Sequence, residues 1–401
     1  MCQLSKNYGT KTIAGLVEKT MKILYVIKTN RGAKWAYEQA LWLFRHGLDL
    51  TVVIPEESGD YADLYRSARI KVIRADCSLP VSKPWLLSRR IRTIRQMVET
   101  EQPDLIHCHF VTNILMMRLA LRNSSIPRLF QVPGPLHLES CIFRKLDVLS
   151  ATAADYWAPA CRLSFQKYLQ AGISSKRLFL AYYGSESYAK TFETTGQLRS
   201  EFGLSPDSRL VAMVCYFYKP KRYLGQRYGL KGHEDFIDAM RLLLHDYPDI
   251  TGVIVGGPFG TSQRYMEQVQ AYARRRCGDK ILFTGFRKDV LQIYREFDVA
   301  VHPSHSENLG GAAESLAAAV PTVSTDVGGF PDIVIDGKTG YTVPAKSPRR
   351  LAQAIERMLI DPEQATQMAL QGQREVRELL DLDRTAGLIE VIYSQILQSE
   401  K

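Results

Sequence analysis

The chain has 401 residues, which is too long for one ordinary hydrophobic core and suits two domains of about 150 to 200 residues each. Apolar residues make up 45% of it, and the absence of any window of about 18 uncharged apolar residues argues against a membrane-spanning helix. The net charge of +10 indicates an anionic partner, which is a nucleic acid, a phospholipid or a phosphorylated substrate.

The cysteines and the N-terminus indicate the compartment. The seven cysteines are scattered, odd in number and without a C-x-x-C pair, which favours a reducing cytoplasm and argues against structural zinc or a disulfide framework. Residues 1–20 lack the continuous apolar core and cleavage site of a secretory signal. We interpret them as a weakly ordered extension and expect the first buried strand just after Met21.

In the first half, apolar, β-branched or aromatic runs alternate with helical patterns. After Gly32, for example, Ala36, Ala40 and Leu43 repeat at helical spacing, and Gly47 is a typical C-terminal stop. The predicted strands are ILYVI from Ile23, TVVIP from Thr51, IKVI from Ile70, LIHCH from Leu105, RLFQV from Arg128, DYWA from Asp155 and LFLAYY from Leu178.

The second half repeats this alternation. Its predicted strands are LVAMV from Leu210, ITGVIVGG from Ile250, ILFTG from Ile281, VAVHP from Val299 and TVST from Thr322. Continuous apolar strands alternating with helices predict α/β domains whose parallel sheets are covered on both faces.

A polar segment without a strand, residues 185–209, separates the two series. We therefore predict a first domain at 21–194, a second at 195–380, and a C-terminal helix at 381–401 that crosses back to the first domain. Two doubly wound, Rossmann-like domains that face each other form a deep cleft, and ligands of such sheets bind beyond the carboxyl ends of the strands.

The loop after the first strand excludes two common enzyme classes. It contains Asn30, Arg31 and a single glycine, Gly32, so the G-x-G-x-x-G fingerprint of dinucleotide-binding proteins is absent, and so is a P-loop. Further along, His107 and His109 alternate at a strand end. Metal ligation there needs another carboxylate or histidine nearby, so we do not expect a metal site.

The segment KPWLLSRRIRTIRQMVETEQPD interleaves apolar residues with Arg89, Arg90, Arg92 and Arg95. One face of such a helix packs inward while the arginines cover another. Two hypotheses remain: the helix docks on an anionic lipid surface, each basic residue contributing about 1 kcal/mol, or it is an ordinary solvated helix.

The loop QVPGPLHLES follows a predicted strand and carries His137 beside two prolines and a glycine. So rigid a loop can aim an imidazole into the cleft, where it hydrogen-bonds a ligand hydroxyl or stabilises positive charge. The alternative is a structural histidine.

Lys231 and Gly232 precede a predicted helix in LKGHEDFIDAM. A lysine beside the exposed amides of a helix N-terminus suits a diphosphate leaving group, on which negative charge grows as a sugar bond breaks. After the next strand, ILFTGFRKDV supplies Gly285, Phe286 and Arg287. An exposed aromatic ring there suits a nucleobase. The alternatives are a core position for the phenylalanine and an ion pair between the arginine and Asp289.

The most informative stretch follows a strand that ends at Pro303. It places a glycine loop, with Gly310 and Gly311, before a small-residue segment of helical composition. Unpaired amides at a helix start favour an anion, and the glycines permit close approach to the main chain. Glu314, one turn into the helix, can accept hydrogen bonds from vicinal hydroxyls. The alternative is an ordinary helix N-terminus with acidic residues favoured by the dipole.

With these residues in view, the chain from about Met21 to its C-terminus resembles the retaining glycosyltransferases of family 4, also called glycosyl transferases group 1, which have the two-domain GT-B fold. The motifs that carry the resemblance are LKGHEDFIDA, FTGFRKDV, SENLGGAAESLAAAVPTVSTDVGGFPDIV and GKTGYTVP. They are specific for the family and much less so for the sugar.

The resemblance implies roles for individual residues. Lys231 would contact the donor diphosphate, Glu314 would hold the nucleotide ribose, and Glu307 would lie close to the reacting face of the donor sugar. His137 would approach the same sugar, which makes His137, Glu307 and Lys231 the candidate catalytic residues. The other candidate donor-binding residues are Gly232, Gly285, Phe286, Arg287, Ser306, Asn308, Leu309, Gly310 and Gly311.

Three departures from the family pattern matter. Glu307 and Glu314 are seven positions apart instead of eight, so either the loop is one residue shorter or Ser306 replaces the first acid. Cys215 and Tyr216 stand where a Gly-Arg pair normally ends the first strand of the second domain. The missing cation would then come from the basic insert, from Lys219, Lys221 or Arg222.

The third departure concerns the acceptor side, where the usual glycine loop is reduced to Asn30, Arg31 and Gly32. These residues are the acceptor-side candidates.

The resulting expectation is transfer of a sugar from a UDP- or GDP-sugar to a hydroxyl of a saccharide or lipid-linked acceptor, with the anomeric configuration retained, in polysaccharide or glycolipid synthesis. Lys231 and helix amides would neutralise the diphosphate without a metal or other cofactor. Two alternatives stay open: a sugar phosphorylase of the same fold, and a non-catalytic anion- or nucleic-acid-binding protein. Neither a pyridoxal phosphate lysine signature nor a nucleic-acid-binding motif is present to support them.

Overall fold

The computed structural model describes residues 20–30, 32–56, 59–191, 193–194, 196–220 and 226–399. Within them the chain forms two six-stranded parallel sheets, each covered by helices on both faces. The predicted α/β class with two doubly wound domains is confirmed. The predicted extension at residues 1–20 lies outside the described residues except for Thr20.

The first sheet has the strand order β3-β2-β1-β4-β5-β6. Its strands are β1 (Lys22–Val26), β2 (Asp49–Ile54), β3 (Lys71–Arg74), β4 (Leu105–His109), β5 (Arg128–Val132) and β6 (Asp155–Pro159). The helices of this half are α1 (Lys34–Arg45), α2 (Asp60–Ser67), α3 (Leu87–Glu101), α4 (Val111–Ala120), α5 (Leu136–Glu139), α6 (Cys141–Leu149) and α7 (Arg162–Gln170).

The second sheet has the order β12-β11-β10-β7-β8-β9. Its strands are β7 (Arg209–Val214), β8 (Ile250–Val255), β9 (Ile281–Gly285), β10 (Val299–His302), β11 (Thr322–Thr325) and β12 (Tyr341–Val343). The remaining helices are α8 (Glu186–Ala189), α9 (Gln197–Glu201), α10 (His233–Leu243), α11 (Gln263–Cys277), α12 (Val290–Ile293), α13 (Gly310–Ala317), α14 (Pro348–Ile360), α15 (Pro362–Leu379) and α16 (Leu382–Ser399).

Burial on both faces explains why the strands are continuous apolar runs. In β1, Ile23 and Tyr25 face one helical layer, whereas Leu24 and Val26 face the other. All four are at most 1% exposed. A strand buried on both sides leaves no position for a solvated side chain, which removes the alternating pattern of half-exposed sheets.

The strand orders also position the site. In the second sheet the neighbouring central strands β7 and β10 continue in opposite directions, β7 to β8 on one side and β10 to β11 on the other. Such a switch point opens a crevice at the carboxyl ends of the two central strands. The loop after β7, which leads to α10, and the loop after β10, which leads to α13, both enter this crevice.

The C-terminal helix α16 returns to the first sheet. Ile389, Ile392 and Tyr393 belong to the same buried cluster as Tyr25 of β1. Tyr393 is hydrogen-bonded through its hydroxyl to Nδ1 of His107 in β4. The last helix is therefore tied to the first half by both apolar packing and a buried polar contact.

The predicted strand LFLAYY is wrong. The segment from Leu178 runs beside β6, and the amides of Phe179 and Ala181 donate to the carbonyls of Trp157 and Pro159 at 2.9 Å each. Only a single bridge forms, between Trp157 and Leu178. A parallel ladder needs a return bond from the amide of residue 159, and proline has none.

Two further points concern the membrane and the sheet edge. Among the described residues, no helix has both the length and the apolarity that a bilayer crossing requires. The edge strand β12 has only three residues and was not predicted from the sequence.

Candidate active site

Lys231 lies where the loop after β7 enters α10. Gly232 caps this helix with a φ of +72°, and a Cβ there would lie 2.0 Å from the carbonyl oxygen of Pro303. Only glycine therefore fits between the start of α10 and the end of β10. This close approach brings Lys231 to the mouth of the crevice.

The ammonium of Lys231 forms an ion pair with the carboxylate of Glu307, and both side chains are mostly buried. Burial lowers the pKa of Lys231, but the charge of Glu307, its hydrogen bond and smaller neighbouring effects together outweigh burial and raise the pKa, so the lysine stays protonated. The ammonium also lies 5.7 Å from the ring centre of Tyr218. The structure thus brings two of the predicted catalytic residues into direct contact.

The loop from Glu307 to Gly311 is shaped by close backbone packing. Gly310 has a φ of +40°, and a Cβ there would lie 3.0 Å from the carboxyl carbon of Glu307. Below the loop, Gly328 has a φ of +60°, and its Cβ would lie 1.6 Å from the carbonyl oxygen of Glu307. Glu307 Oε1 accepts from the amide of Asn308 at 3.1 Å.

Other residues of this loop are buried. Leu309 is 4% exposed and packs into an apolar cluster, so only its backbone faces the crevice. The side-chain oxygen of Asn308 is buried without a hydrogen-bond partner among the described residues. A buried acceptor without a donor is unusual in a native fold and is typical of functional sites.

Glu314 lies one turn into α13, and its Oε2 accepts from the hydroxyl of Tyr294 at 3.4 Å. Burial raises the pKa of Glu314, partly offset by the charge of Lys34 from the first half and by the bond from Tyr294. The same hydroxyl lies 3.3 Å from the carbonyl of Gly311. Tyr294 was not singled out from the sequence, because a tyrosine in an apolar segment resembles a core residue.

His137 lies in the short helix α5, and its side chain is 9% exposed. Its Nε2 is 2.9 Å from the hydroxyl of Tyr168 and 3.2 Å from Oδ2 of Asp147. The described residues provide no hydrogen bond to Nδ1, and this atom is not among the buried unpaired ones. Nε2 is therefore held by two side chains of the first half, and Nδ1 is accessible.

Helix α5 and its flanking residue Gly134 touch the loop of residues 306–311, which we call the donor-side loop. A Cβ on Gly134 would lie 3.6 Å from the Cβ of Asn308. Glu139 Oε1 accepts from the hydroxyl of Ser306 at 2.8 Å. Because these contacts join the two halves across the crevice, His137 and Glu307 belong to loops that meet.

Gly285 is the last residue of β9, and Phe286 follows it. Phe286 is 62% exposed, so the alternative of a core position is excluded. Its ring stacks near Tyr216 with centroids 6.4 Å apart and an interplanar angle of 21°. Phe259 also contacts Tyr216, at a centroid distance of 5.7 Å. The sequence predicted one aromatic ring here. The structure shows a cluster of three rings, which follow β7, β8 and β9.

Arg287 is engaged in ion pairs. It binds Asp289, with shortest N to O distance 2.6 Å, and Glu201 of α9 at 2.7 Å. The hydrogen bonds that it donates to these carboxylates raise its pKa despite burial. The alternative that pairs Arg287 with Asp289 is therefore observed, and donor binding by this arginine is a prediction that requires the pair to open.

The position that departs from the family pattern is partly buried. Cys215 Sγ lies 3.3 Å from Nε2 of His233, whose ring stacks on Phe217 at 4.1 Å. Lys219 is held through its backbone amide by Ser262 at 3.0 Å. Lys221 and Arg222, the other two candidate cations, lie outside the described residues.

The acceptor-side loop is fixed to α2. The side-chain amide of Asn30 donates to the carbonyl of Gly59 at 2.7 Å, and its oxygen accepts from the amide of Ala62 at 2.6 Å. Asn30 therefore holds the loop in place with its own polar atoms. Gly32 has a φ of +66° beside open space, and Arg31 lies outside the described residues.

The two strand-end histidines are structural within this fold. His107 is bonded to Tyr393, and Nδ1 of His109 lies 2.9 Å from the hydroxyl of Tyr183. Burial lowers the pKa of His107 to about 3. Among the described residues, no group of three or more metal-ligating side chains occurs.

Two family profiles match this chain, one in each half. Residues 32–171 match the "Glycosyl transferase 4-like domain" and residues 222–375 match "Glycosyl transferases group 1". Together they contain the candidate residues from His137 to Glu314.

Curated relatives match in part. The lipopolysaccharide core biosynthesis mannosyltransferase LpcC of Rhizobium leguminosarum bv. viciae is 29% identical over 169 residues, 42% of this chain and 48% of the relative. The D-inositol 3-phosphate glycosyltransferase of Acidothermus cellulolyticus is 28% identical over 279 residues, 65% of this chain and 60% of the relative. The chain spans about half the length of the first curated relatives it matches.

Solved structures match over nearly the whole length. Anabaena Alr3699/HepE in complex with UDP has a TM-score of 0.77 at 20% identity, covering 93% of this chain and 100% of that one. Sucrose-phosphate synthase from Thermosynechococcus elongatus has a TM-score of 0.74 at 20% identity, with coverages of 94% and 100%. These likenesses establish the GT-B fold.

Proposed function

We propose that this chain, which belongs to the glycosyl transferases of group 1, moves a sugar from a nucleotide diphosphate sugar to a hydroxyl of an acceptor. The observation that carries the proposal is the position of Lys231. Its ammonium lies beside the start of α10 and contacts Glu307 in the glycine loop before α13. Two helix N-termini and a lysine then converge on one crevice, which suits a diphosphate.

The donor is a UDP- or GDP-sugar. Support for UDP comes from the likeness to HepE, whose structures include complexes with UDP and with UDP-glucose. The exposed ring of Phe286 with its aromatic neighbours suits a stacked base, and the part-buried carboxylate of Glu314 suits ribose hydroxyls. The acceptor is a saccharide or a lipid-linked molecule, since named relatives act in lipopolysaccharide core synthesis.

The mechanism retains the anomeric configuration. The bond between the anomeric carbon and the diphosphate oxygen breaks, the acceptor oxygen bonds to the same face of that carbon, and the acceptor proton passes to the departing phosphate. Lys231 and the amides of α10 and α13 stabilise the negative charge that grows on the diphosphate. At about 4 Å and an effective dielectric near 20, each unit charge contributes about 4 kcal/mol.

Glu307 and His137 act on the sugar side. Glu307 leaves Lys231 when the diphosphate binds, and its carboxylate is then free to face the reacting side of the sugar. His137 hydrogen-bonds a sugar hydroxyl from the first half. The lysine and the helix amides make a metal unnecessary.

Substitution of Lys231 tests the proposal. We expect Lys231→Ala to lower kcat about 100- to 1000-fold, as removal of one preorganised charge-stabilising group does. Wild-type turnover is expected to persist in EDTA. Near-wild-type turnover of the variant, or loss of wild-type activity in EDTA, would refute the role given to the lysine.

A thermal-shift screen with UDP, GDP, ADP and their common sugars identifies the donor. A ligand at 100 times its Kd stabilises the folded state by about 2.7 kcal/mol. If none of these ligands shifts Tm, the proposed function fails, and consumption of inorganic phosphate or salt-sensitive retention of DNA would support the phosphorylase or nucleic-acid alternatives.

We further propose that the enzyme acts at the cytoplasmic face of an anionic membrane, docked through α3. Arg89 and Arg92 are exposed, and Trp85, which precedes them, is 73% exposed. Arg95 is also exposed, although its Nε donates to a carbonyl at the end of α4. Arg90 is held by a carboxylate in the loop after β3, so it contributes less than the other three.

A second feature supports this docking surface. Ile142, Leu146 and Leu149 form an exposed row along α6, with exposures of 71%, 46% and 80%. Helices α3 and α6 both pack against α4, so the row and the arginines belong to one helical layer. Apolar side chains beside basic ones suit the boundary between headgroups and acyl chains.

Vesicle binding measures this interaction. We expect the double charge reversal Arg89→Glu/Arg92→Glu to reduce co-sedimentation with vesicles that contain anionic lipid, and the reduction to disappear in neutral vesicles. The matched control is Arg349→Glu/Arg350→Glu, which reverses two exposed arginines at the start of α14. Equal binding by both variants would remove the membrane proposal.

A further inference from the structure

His137 is surrounded by buried polar groups that the proposed mechanism does not use. Around His137 lie Asp147 of α6, Tyr168 of α7 and Arg118 of α4, each at most 2% exposed. Such a network is costly to bury unless every group is paired. Its location directly behind the imidazole calls for an explanation.

We propose that Asp147 and Tyr168 are positioning residues that fix the proton of His137 on Nε2, so that Nδ1 is the nitrogen presented to the donor sugar. The proposal rests on the sugar transfer proposed above, because it assigns the atom through which His137 acts.

The directions of the hydrogen bonds carry the argument. Tyr168 donates its only hydroxyl proton to Oδ2 of Asp147. The phenolic oxygen, 2.9 Å from Nε2 of His137, can then only accept from it. The carboxylate oxygen, 3.2 Å from the same nitrogen, is also an acceptor. Both neighbours therefore require a proton on Nε2.

The opposite tautomer would place a lone pair of Nε2 against two oxygens that have no proton to give. Burial makes that arrangement costly, since an unpaired polar contact in a poorly solvated site is not screened by water. A neutral His137 with the proton on Nδ1 is therefore disfavoured by the structure. The imidazolium form keeps the same Nε2 proton, so both remaining forms agree with the assignment.

The carboxylate itself is kept ionised. Burial raises the pKa of Asp147, but the hydrogen bond from His137 and the charge of Arg118 outweigh burial and lower the pKa to about 2. Arg118 Nη1 donates to Oδ1 of Asp147 at 2.8 Å, and its Nε donates to Asp155 at 2.9 Å. The indole of Trp157 also donates to Oδ1, at 3.3 Å.

This arrangement leaves Nδ1 for the ligand. The described residues provide it with no hydrogen-bond partner, and the flanks of α5 contact Ser306 and Asn308 in the donor-side loop. A neutral imidazole with its proton on Nε2 accepts at Nδ1, so a sugar hydroxyl donates to it. An imidazolium donates at Nδ1 instead and bonds the same hydroxyl oxygen.

The first test needs no activity. Protein labelled with 15N at histidine is examined by NMR at neutral pH, with the His137 signals assigned from a His137→Asn variant. Long-range correlations between ring nitrogens and carbon-bound protons distinguish the nitrogen that carries hydrogen. We expect hydrogen on Nε2 in the wild type and a weaker preference for Nε2 in Tyr168→Phe, in which only the carboxylate of Asp147 still accepts from it. Hydrogen on Nδ1 alone in the wild type would overturn the proposal.

The second test is a double-mutant cycle. We expect Tyr168→Phe and Asp147→Asn each to lower kcat about 10- to 100-fold, as removal of groups that orient a functional histidine does in other sites. In a His137→Ala background the same substitutions should change kcat less than about 2-fold, because their effect passes through the imidazole. Equal losses in both backgrounds would show a purely structural role.

Controls separate the possible failures. Tyr156→Phe removes another hydroxyl from a buried tyrosine, one that lies 3.2 Å from Ser399 at the far end of the chain, and should leave kcat unchanged. If Asp147→Asn does not fold, Tyr168→Phe still decides, because it keeps the ion pair with Arg118. If the wild type transfers no sugar, the proposed function fails, whereas the NMR result still tests the tautomer.

Discussion

Lys231 is neutralised by Glu307 in this structure, and this pairing has a consequence for donor binding. In the proposed reaction, a diphosphate, which carries more negative charge than one carboxylate, would compete for the lysine and release Glu307 toward the sugar. Removing only one partner of a mostly buried ion pair is costly, because the other charge is left unpaired. We therefore expect Lys231 and Glu307 to function as a coupled pair. A substitution of either residue then changes the contribution of the other to activity.

Glu314 allows a prediction at the same scale. Burial raises its pKa, so the folded state holds a proton on this group at a pH where the unfolded state has lost it. The contribution of Glu314 to stability is therefore lost as pH rises through the folded pKa. We expect Glu314→Gln to raise the unfolding midpoint in urea at pH 8 and to weaken donor binding at least 10-fold.

The control for this prediction is Glu267→Gln on α11, which is exposed and accepts from Gln263 at 3.0 Å. This substitution should change neither the unfolding midpoint in urea at pH 8 nor the affinity for the donor. A Glu314→Gln variant that binds the donor as tightly as the wild type would contradict the assignment of this carboxylate to the ribose.

At the scale of elements, the site consists of loops that follow β7, β9 and β10. The loops after β7 and β10 are held partly by close backbone contacts. Gly232 packs against Pro303, and Gly328 packs against Glu307. Parallel strands end at one edge of the sheet, so loops distant in the chain meet there, and glycines allow them to touch.

A comparison of two glycines distinguishes the energetic cost of backbone strain from the cost of disturbing this packing. Gly328 and Gly337 have φ values of +60° and +71°, but a Cβ on Gly337 meets open space. We expect Gly337→Ala to cost about 1 to 2 kcal/mol of unfolding free energy from the left-handed backbone alone. Gly328→Ala should cost more, because its Cβ would collide with the carbonyl of Glu307.

The donor dissociation constant distinguishes the two variants further. Displacement of Glu307 by Gly328→Ala should weaken donor binding, whereas Gly337→Ala should leave it unchanged. Equal unfolding free energies from urea titration, with equal donor affinities, would indicate that the contact below the loop is unimportant.

At the scale of the whole molecule, the two halves are joined by polar contacts as well as by the chain. Ser306 donates to Glu139, and Asp332 Oδ2 accepts from the amide of Arg162 at 2.8 Å and from Tyr182 at 2.9 Å. Helix α16 adds apolar contact with the first sheet. These contacts fix the relative position of His137 and the donor-side loop, on which the proposed chemistry depends.

Buried histidines predict the response of the whole molecule to acid. Burial lowers the pKa of His107, His233 and His302 to about 3 each. Between about pH 3 and pH 6.5 the unfolded chain binds protons at these sites and the folded chain does not, so stability falls as pH falls. Each histidine contributes at most about 1.4 kcal/mol per pH unit.

Urea unfolding between pH 7 and pH 5 measures this slope. We expect a shallower slope for His302→Gln, whose terminal amide reaches the position of Nε2 and can keep the 3.0 Å contact with Ser315 without titrating. An unchanged slope in this variant would show that His302 does not contribute. The buried carboxylates Glu234, Glu314 and Asp332, whose pKa values burial raises, act in the opposite direction and reduce the total slope.

The sequence by itself determined the class of fold, the positions of eleven strands and the motifs of the second half, as the agreement from β1 to β11 indicates. Local patterns suffice there because a strand buried on both faces must be apolar throughout, and a glycine at a helix start is visible in the chain. The predicted strand at Leu178 was wrong because its ladder needs an amide from the neighbouring strand β6, and the residue at that position is Pro159.

Only the tertiary structure decided which groups face each other. Residues 76 apart form the ion pair of Lys231 with Glu307, and the partners of His137 come from two helices that carry no recognisable motif. Such pairings depend on distances and directions in three dimensions, which no spacing along one chain encodes. The partners of Asn30 and Arg287 were also decided by the tertiary structure. The polar groups of both residues bind neighbours within their own halves.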